Sequence, residues 1–533
     1  MGAYLRALRA LVLLAGFYLL GLVLIAVLAG LDWALITRTD AGPLAAKIVI
    51  VSVVLAVPIL RGMTMLRTPA PEPAPGVRVT DAQEPRLWAA VRDIADGVGT
   101  RAPDEIVLVD EVNAAVREEA RMLGLRGGKR TLLLGLPLMT GLDETQLRAV
   151  LGHELGHYSN SDTRMMPLIV RGRTQLVRTI GHFLERADTK VAKETAKQEK
   201  AAEKRLAKGR KAKAVDTTGV GVTYRAMAKI YTGYGNFYLR ATLSAARRQE
   251  FAADLAAARI CGRDAHAAAL RELNVLTPAH DFYMSSYATL GVGAGLLPRH
   301  GQFFGGFAEL LAAHTEDLEG LRADLPTEPS SPYDSHPPLA ERVARVEALP
   351  DDGMPARSGR PALGLLTDPA ASFAALEREV LTPEALAMPR MDWEDLVHSS
   401  MSQYVAQGAE DIRGALTSEG TDGTLSSLLD AIDADPAVLW RIAEHFPKSE
   451  EAAAATGRAA RAFARPAVRR ALNQLVTIEL TARGTARWQL SWSDSASVRY
   501  PADGFADQLA LALDAAVADR PDTSLLRKLV TAP

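Results

Sequence analysis

The front of the chain is almost entirely apolar. From about Ala7 to Leu31 no charge falls between Arg9 and Asp32, enough length to cross the hydrocarbon of a bilayer as a helix. A second apolar stretch runs from about Ala45 to Leu60, and reaches Leu66 if Arg61 snorkels to the interface. Two spans so close together read as a retained two-helix anchor, not a cleaved leader. A Pro-rich spacer comes next at Thr68 to Gly76 (TPAPEPAPG).

Beyond the spacer the pattern becomes that of a folded domain. Thr131-Leu132-Leu133-Leu134-Gly135 predicts a short buried strand. Asp143 to His157 predicts one helix, with Leu147, Val150, Leu151 and Leu155 near helical spacing and Asp143 and Gln146 forming a capping box. Around Glu250-Phe251-Ala252-Ala253-Asp254 an alanine-rich helix opens and continues to Ile260. Arg186 to Lys213 is rich in Lys, Glu and Ala, which predicts a solvated, partly helical insertion; as a basic arm it could also touch anionic lipid headgroups. A second Pro-rich break spans Leu325 to Pro338. Towards the C-terminus, Val476, Ile478 and Leu480 alternate, as do Trp488, Leu490 and Trp492, predicting a β-hairpin turning at Arg483-Gly484-Thr485.

Composition adds exclusions. The 61 Lys and Arg balance 63 Asp and Glu, so charge gives no sign of a nucleic-acid partner. The single Cys261 excludes an intramolecular disulfide and a cysteine-built zinc site. Arg6 and Arg9 precede the first span, while Arg61 and Arg67 come after the second. The positive-inside rule then puts both ends of the anchor, and the domain beyond it, in the cytoplasm.

The chemistry centres on His153-Glu154-Leu155-Gly156-His157, an H-E-x-x-H pattern. On a helix the two histidines stand one turn apart on one face, so both rings reach one metal ion. Glu154 beside them is placed to take a proton from a metal-activated water. Asn160 and Thr163 stand where a metzincin needs glycine and histidine, which excludes that class and makes a downstream glutamate the third ligand. Glu185 and Glu250 are the candidates. Glu250 is preferred because Asp254, one turn on, can hydrogen-bond a ligand histidine from behind.

HELGH, then EFAAD, then Ser335-His336-Pro337-Pro338 with Arg342 resembles the membrane-associated gluzincin peptidases, the family of HtpX and the CAAX prenyl protease. The resemblance covers roughly Pro85 to Leu349. It implies zinc on His153, His157 and Glu250, with Glu154 as general base. It further implies supporting roles for Asp162, Asp254 and Arg342, and an oxyanion-stabilising role for His336. Asn113 and Ala114 would hold substrate backbone at a strand edge. The chain departs from the family between the second and third motifs. Arg171, Arg173, Arg178, Arg225, Lys229 and Arg240 there oppose further membrane spans.

The expected fold is mainly α with a small β-sheet, an α+β gluzincin catalytic domain. Residues 1–66 form the transmembrane hairpin and 67–84 the linker. The metallopeptidase domain covers 85–352 with its charged insertion at 186–213, and an α+β accessory region covers 353–533. The expected function is a membrane-anchored zinc endopeptidase acting on protein or peptide substrates beside a bacterial-type membrane. A zinc-binding sensor or scaffold without turnover, and a narrow-specificity processing protease, stand as alternatives.

Overall fold

The buried strand expected at Thr131–Gly135 is the end of a longer one. The computed structural model describes residues 2–38, parts of 48–60, 75–121, 126–158, 166–208, 211, 214–328 and 336–531. Two units are distinguished, Met1–Asn274 with Leu321–Thr367, and Val275–Gly320 with Asp368–Pro533.

In the first unit, β1 (Val77–Val79), β2 (Glu105–Val109), β3 (Ala114–Arg121) and β4 (Arg126–Gly135) form a sheet of order β1-β2-β4-β3. β2 and β4 pair in parallel, and the outer strands run antiparallel to them. Where the inner strands pair, EIVLV against TLLLG, the sequence is largely aliphatic, which suits strands covered on both faces. Ile106, Leu108, Leu132 and Leu134 are fully buried. So are Leu87 and Ile94 of α2 (Pro85–Val98) and Leu147, Leu151 and Leu155 of α4 (Glu144–Gly156). A short α3 (Leu136–Gly141) links β4 to α4.

The capping box at the start of α4 is complete. Asp143 Oδ1 accepts from the Gln146 amide at 2.8 Å, and Gln146 Oε1 accepts from the Asp143 amide at 3.0 Å. Glu250 does not open its helix. It lies late in α6 (Val222–Cys261), which begins well before the alanine-rich segment. The lysine- and glutamate-rich stretch likewise belongs to a longer helix, α5 (Met166–Leu206), and its described side chains are mostly exposed.

Small residues let α4 and α6 approach closely. A Cβ added at Gly152 would lie 3.4 Å from Ala257 Cα, and one at Gly156 would lie 3.3 Å from Ala256 Cβ. After α6 come α7 (Arg263–Tyr283), which carries the chain towards the second unit, and α8 (Leu339–Glu347) back in the first. Val343 and Val346 of α8 pack on Ala258, Ala267 and Leu270.

At the N-terminus, α1 (Gly2–Arg38) contains Ala15–Thr37, one helix long and apolar enough to cross a membrane. Leu13 and Phe17 pack with Leu176, Phe183, Met227 and Tyr231, while Leu19, Leu22, Val27, Leu31 and Trp33 are exposed. Such an apolar exterior is a poor surface for water. The expectation of two spans is met by one among the described residues. The second stretch is helical where described, at 48–50, 52–53, 56–57 and 59–60, and otherwise lies outside them, as does most of the Pro-rich spacer.

The second unit is mostly helical. Its core gathers Leu428, Leu439, Leu472, Val476 and Leu513, among others. The expected hairpin at 476–492 is not formed. Val476, Ile478 and Leu480 lie in the helix Gly457–Ala482, whose buried Val468, Leu472, Leu475, Val476 and Leu480 keep helical spacing. A short run of alternation was outvoted by the longer period. Gly484, at φ 71°, stands just past the end of this helix, and Trp488 pairs instead with Val498 in a two-stranded ribbon.

The α4–α6 contact yields a stability prediction. Gly152→Ala makes only ordinary contact and removes a flexible helix-interior glycine, so stability should hold or rise by up to about 1 kcal/mol. Gly152→Leu should cost about 1–3 kcal/mol by overpacking. Denaturant unfolding of the detergent-purified chain measures both; equal stability of the two variants would contradict the tight seam.

Candidate metal centre

The α4–α6 seam brings three of the expected residues together. His153 and His157 project one turn apart from α4, ring centroids 4.7 Å apart and nearly perpendicular. From α6, Glu250 enters between them, with Oε2 3.6 Å from His153 Nε2 and Oε1 3.8 Å from His157 Nε2. Donors held by one tetrahedral zinc at about 2.0–2.1 Å lie roughly 3.3 Å apart. The three side chains therefore fit such an ion with little adjustment. Glu185, the other glutamate considered, is exposed on α5.

Behind the trio sits Asp254. Its Oδ1 lies 2.9 Å from His153 Nδ1, which leaves Nε2 of that ring towards the metal position. The same oxygen is 2.9 Å from His266 Nε2. Arg342 on α8 closes the cluster, donating from Nε to Oδ2 at 3.0 Å and from Nη2 to Oδ1 at 2.7 Å. A second trio, His153, Asp254 and His266, also has donor atoms near one another. The guanidinium already neutralises Asp254 there and would repel a cation, so the first trio is the better metal site.

The protonation pattern is set by burial and neighbours. Burial alone would depress the His153 imidazole, but the adjacent carboxylates of Asp254 and Glu250 outweigh it and hold the ring up at about 9. His157 is pushed down to about 4, first by burial and then by the positive charge on His153. Glu154 is raised above the usual carboxylate range, chiefly by burial. Burial also works to raise Glu250 and Asp254, yet their hydrogen bonds with the surrounding histidines, and with Arg342 for Asp254, hold both well below it.

Other expected residues flank this cluster or lie apart from it. His336 stands beside the trio, 54 % exposed, with Nδ1 2.7 Å from Glu250 Oε2. Asp162 lies outside the described residues. Asn113 and Ala114 lie at the start of the edge strand β3. The Gly135 amide donates to the Asn113 carbonyl at 2.8 Å, so Asn113 faces β4 and Ala114 and Val116 face outward. Of the expected pair, only Ala114 turns its backbone away from β4, while Asn113 is exposed.

Two residues escaped the sequence reading. His266 is buried against Asp254, and the Tyr158 hydroxyl donates to the Val116 carbonyl at 2.7 Å. Tyr158 is held further by the Arg130 guanidinium over its ring. No local pattern marks His266, a lone histidine among alanines. Tyr158 comes directly after His157, so adjacency to the motif is its only signal.

Comparison with known proteins gives one family. The model of peptidase family M48, the family of HtpX and the CAAX prenyl protease, matches residues 81–349. No curated protein and no solved structure matches the chain.

The raised His153 pKa gives a pH prediction. Stability from its protonated form is fully present below the unfolded value of about 6.5 and is lost as pH rises through about 9. The metal-free protein should therefore lose thermal stability across that window. Metal uptake at pH 7 should release one proton, and affinity should rise until about pH 9. Calorimetry in buffers of different ionisation enthalpy counts that proton; zero release would contradict the assignment.

Proposed function

The chain belongs to peptidase family M48, a metallopeptidase family, and from that premise we propose that it is a membrane-anchored zinc endopeptidase. The observation that carries this reading is the convergence of His153, His157 and Glu250 at ligand spacing, with Glu154 adjoining them. Two imidazoles and one carboxylate are a donor set suited to catalytic zinc, which keeps a coordination position for water. Bound there, zinc would supply Lewis acidity towards water and the substrate carbonyl.

The side chains do the rest. Glu154, with its proton affinity raised by burial, takes the proton of the attacking water and delivers it to the leaving amine. His336, half-exposed beside Glu250, is placed to donate to the oxyanion of the tetrahedral intermediate. Arg342 and Asp254 keep the His153 ring from turning. An extended peptide adds to β3 through the outward backbone of Ala114, so recognition rests mainly on main chain and side-chain preference is broad. Misfolded or membrane-proximal proteins are the substrates that such loose recognition suits.

Anchoring is assigned to α1. The second apolar stretch returns the chain to the side on which it began, the cytoplasm by the basic residues at both ends. The Lys-rich continuation of α5 is then available to anionic headgroups.

Glu154→Gln should keep its metal and lose cleavage of an unstructured protein by about 10²–10⁴-fold, the usual range for a missing general base. Metal content and cleavage rate are read on the same detergent-purified samples. Equal rates would remove Glu154 from the mechanism. A metal-loaded wild type that cleaves nothing unstructured would favour the scaffold or the narrow processor.

A further inference from the structure

His266 lies outside every motif that points to the site, yet it touches the centre. It stands in the first turn of α7, 1 % exposed, between the buried Ala265 and Ala267. Its ring stacks on that of His153, centroids 5.9 Å apart and planes within 22°. Nε2 is 2.9 Å from Asp254 Oδ1. A carboxylate can only accept, so the proton of this bond belongs to Nε2. Nδ1 is buried with no hydrogen-bond partner among the described residues. An unpaired ring nitrogen in an apolar setting costs stability, and a phenyl ring would fill the space without it. The imidazole therefore serves no packing purpose that an apolar side chain could not serve better.

What it supplies is a donor. Asp254 takes three hydrogen bonds, on Oδ1 from His266 and Arg342 and on Oδ2 from Arg342, and His153 Nδ1 lies 2.9 Å from Oδ1. Both Arg342 bonds come from α8, and the His153 contact comes from α4. His266 pulls from a third element, α7, so the carboxylate is held against rotation from three sides.

We propose that His266 is a positioning residue of the metal centre: by fixing Asp254, it fixes the His153 ring with Nε2 directed to the ion. This inference rests on the reading of His153, His157 and Glu250 as the metal ligands.

The test is the zinc dissociation constant of the full chain in detergent, measured by competition with a chromogenic chelator. His266→Phe keeps the ring volume and the stacking on His153 but deletes the donor. It should weaken zinc binding about 10–100-fold, the usual effect of losing a partner behind a ligand. His266→Gln carries an amide nitrogen where Nε2 stood and should bind within a few-fold of wild type. His266→Asn places its amide at the Nδ1 position, out of reach of Asp254, and should bind as weakly as His266→Phe. In an Asp254→Asn background, His266→Phe should cause no further loss.

A His266→Phe protein that binds zinc as the wild type does overturns the inference, as does full additivity with Asp254→Asn. If His266→Phe fails to fold, the Gln and Asn variants decide: equal affinity overturns the inference, and a Gln advantage upholds it. A wild type that takes up no zinc overturns the metal-centre reading and this inference with it. Wild-type zinc binding beside an unaffected His266→Phe overturns this inference alone.

Discussion

The centre depends on how closely two helices can approach. His153 and His157 come from α4 and Glu250 from α6. Side chains of such different length can share one point only if the helix axes are near, and glycine opposite alanine is the sequence means of bringing them there. Gly152 and Gly156 face Ala253, Ala256 and Ala257, so the surface that closes the seam is made by the residues flanking the ligands. Packing and chemistry are thus written into the same two short segments, GHELGH and EFAADLAA. A change that loosens the seam displaces a ligand in the same stroke.

Charge is the second constraint. Glu154, Glu250 and Asp254 crowd one small volume, and an isolated carboxylate there would be expensive to keep ionised. The structure answers with a graded set of partners. Asp254 is held by the guanidinium of Arg342 and by two histidines, and Glu250 by histidines. Glu154 has the least support and drifts towards its protonated form. Three carboxylates of like chemistry are thereby given different proton affinities by their neighbours alone, which is what the proposed roles of orienting anion, ligand and proton carrier require.

The legible part of the molecule was local. The helix carrying the histidines announced itself by a capping box and by apolar spacing confined to fifteen residues, and β4 by an aliphatic run. The i, i+4 relation of Glu250 to Asp254 needed only a helix, and a helix is there. Features that depended on distant packing were not legible. The start of α6 carries no cap that an observer would notice, since Gly221 makes no side-chain bond to it. The supposed hairpin failed because Val476 and Leu480 answer to Val468 and Leu472 in a helical stripe, a relation longer than the alternation that suggested strands. His266 reaches Asp254, twelve residues back, only because the chain turns at Gly262 between α6 and α7, which nothing in its own neighbours foretells.

The bond from Tyr158 to Val116 has a consequence for how the molecule parts from whatever it holds. An open strand edge is a template, and anchoring by α1, as proposed, would bring copies of the chain together at high local concentration. On β3 the template is cut short. Tyr158 occupies the carbonyl of Val116, and beyond it the pairing with β4 breaks register between Glu118 and Ala120. The outward ladder is thereby interrupted at the Val116 carbonyl and ends near Glu118, a short run for a second sheet to grip. A substrate held there by main chain, as proposed, would be released readily, since a foreshortened edge makes each encounter brief.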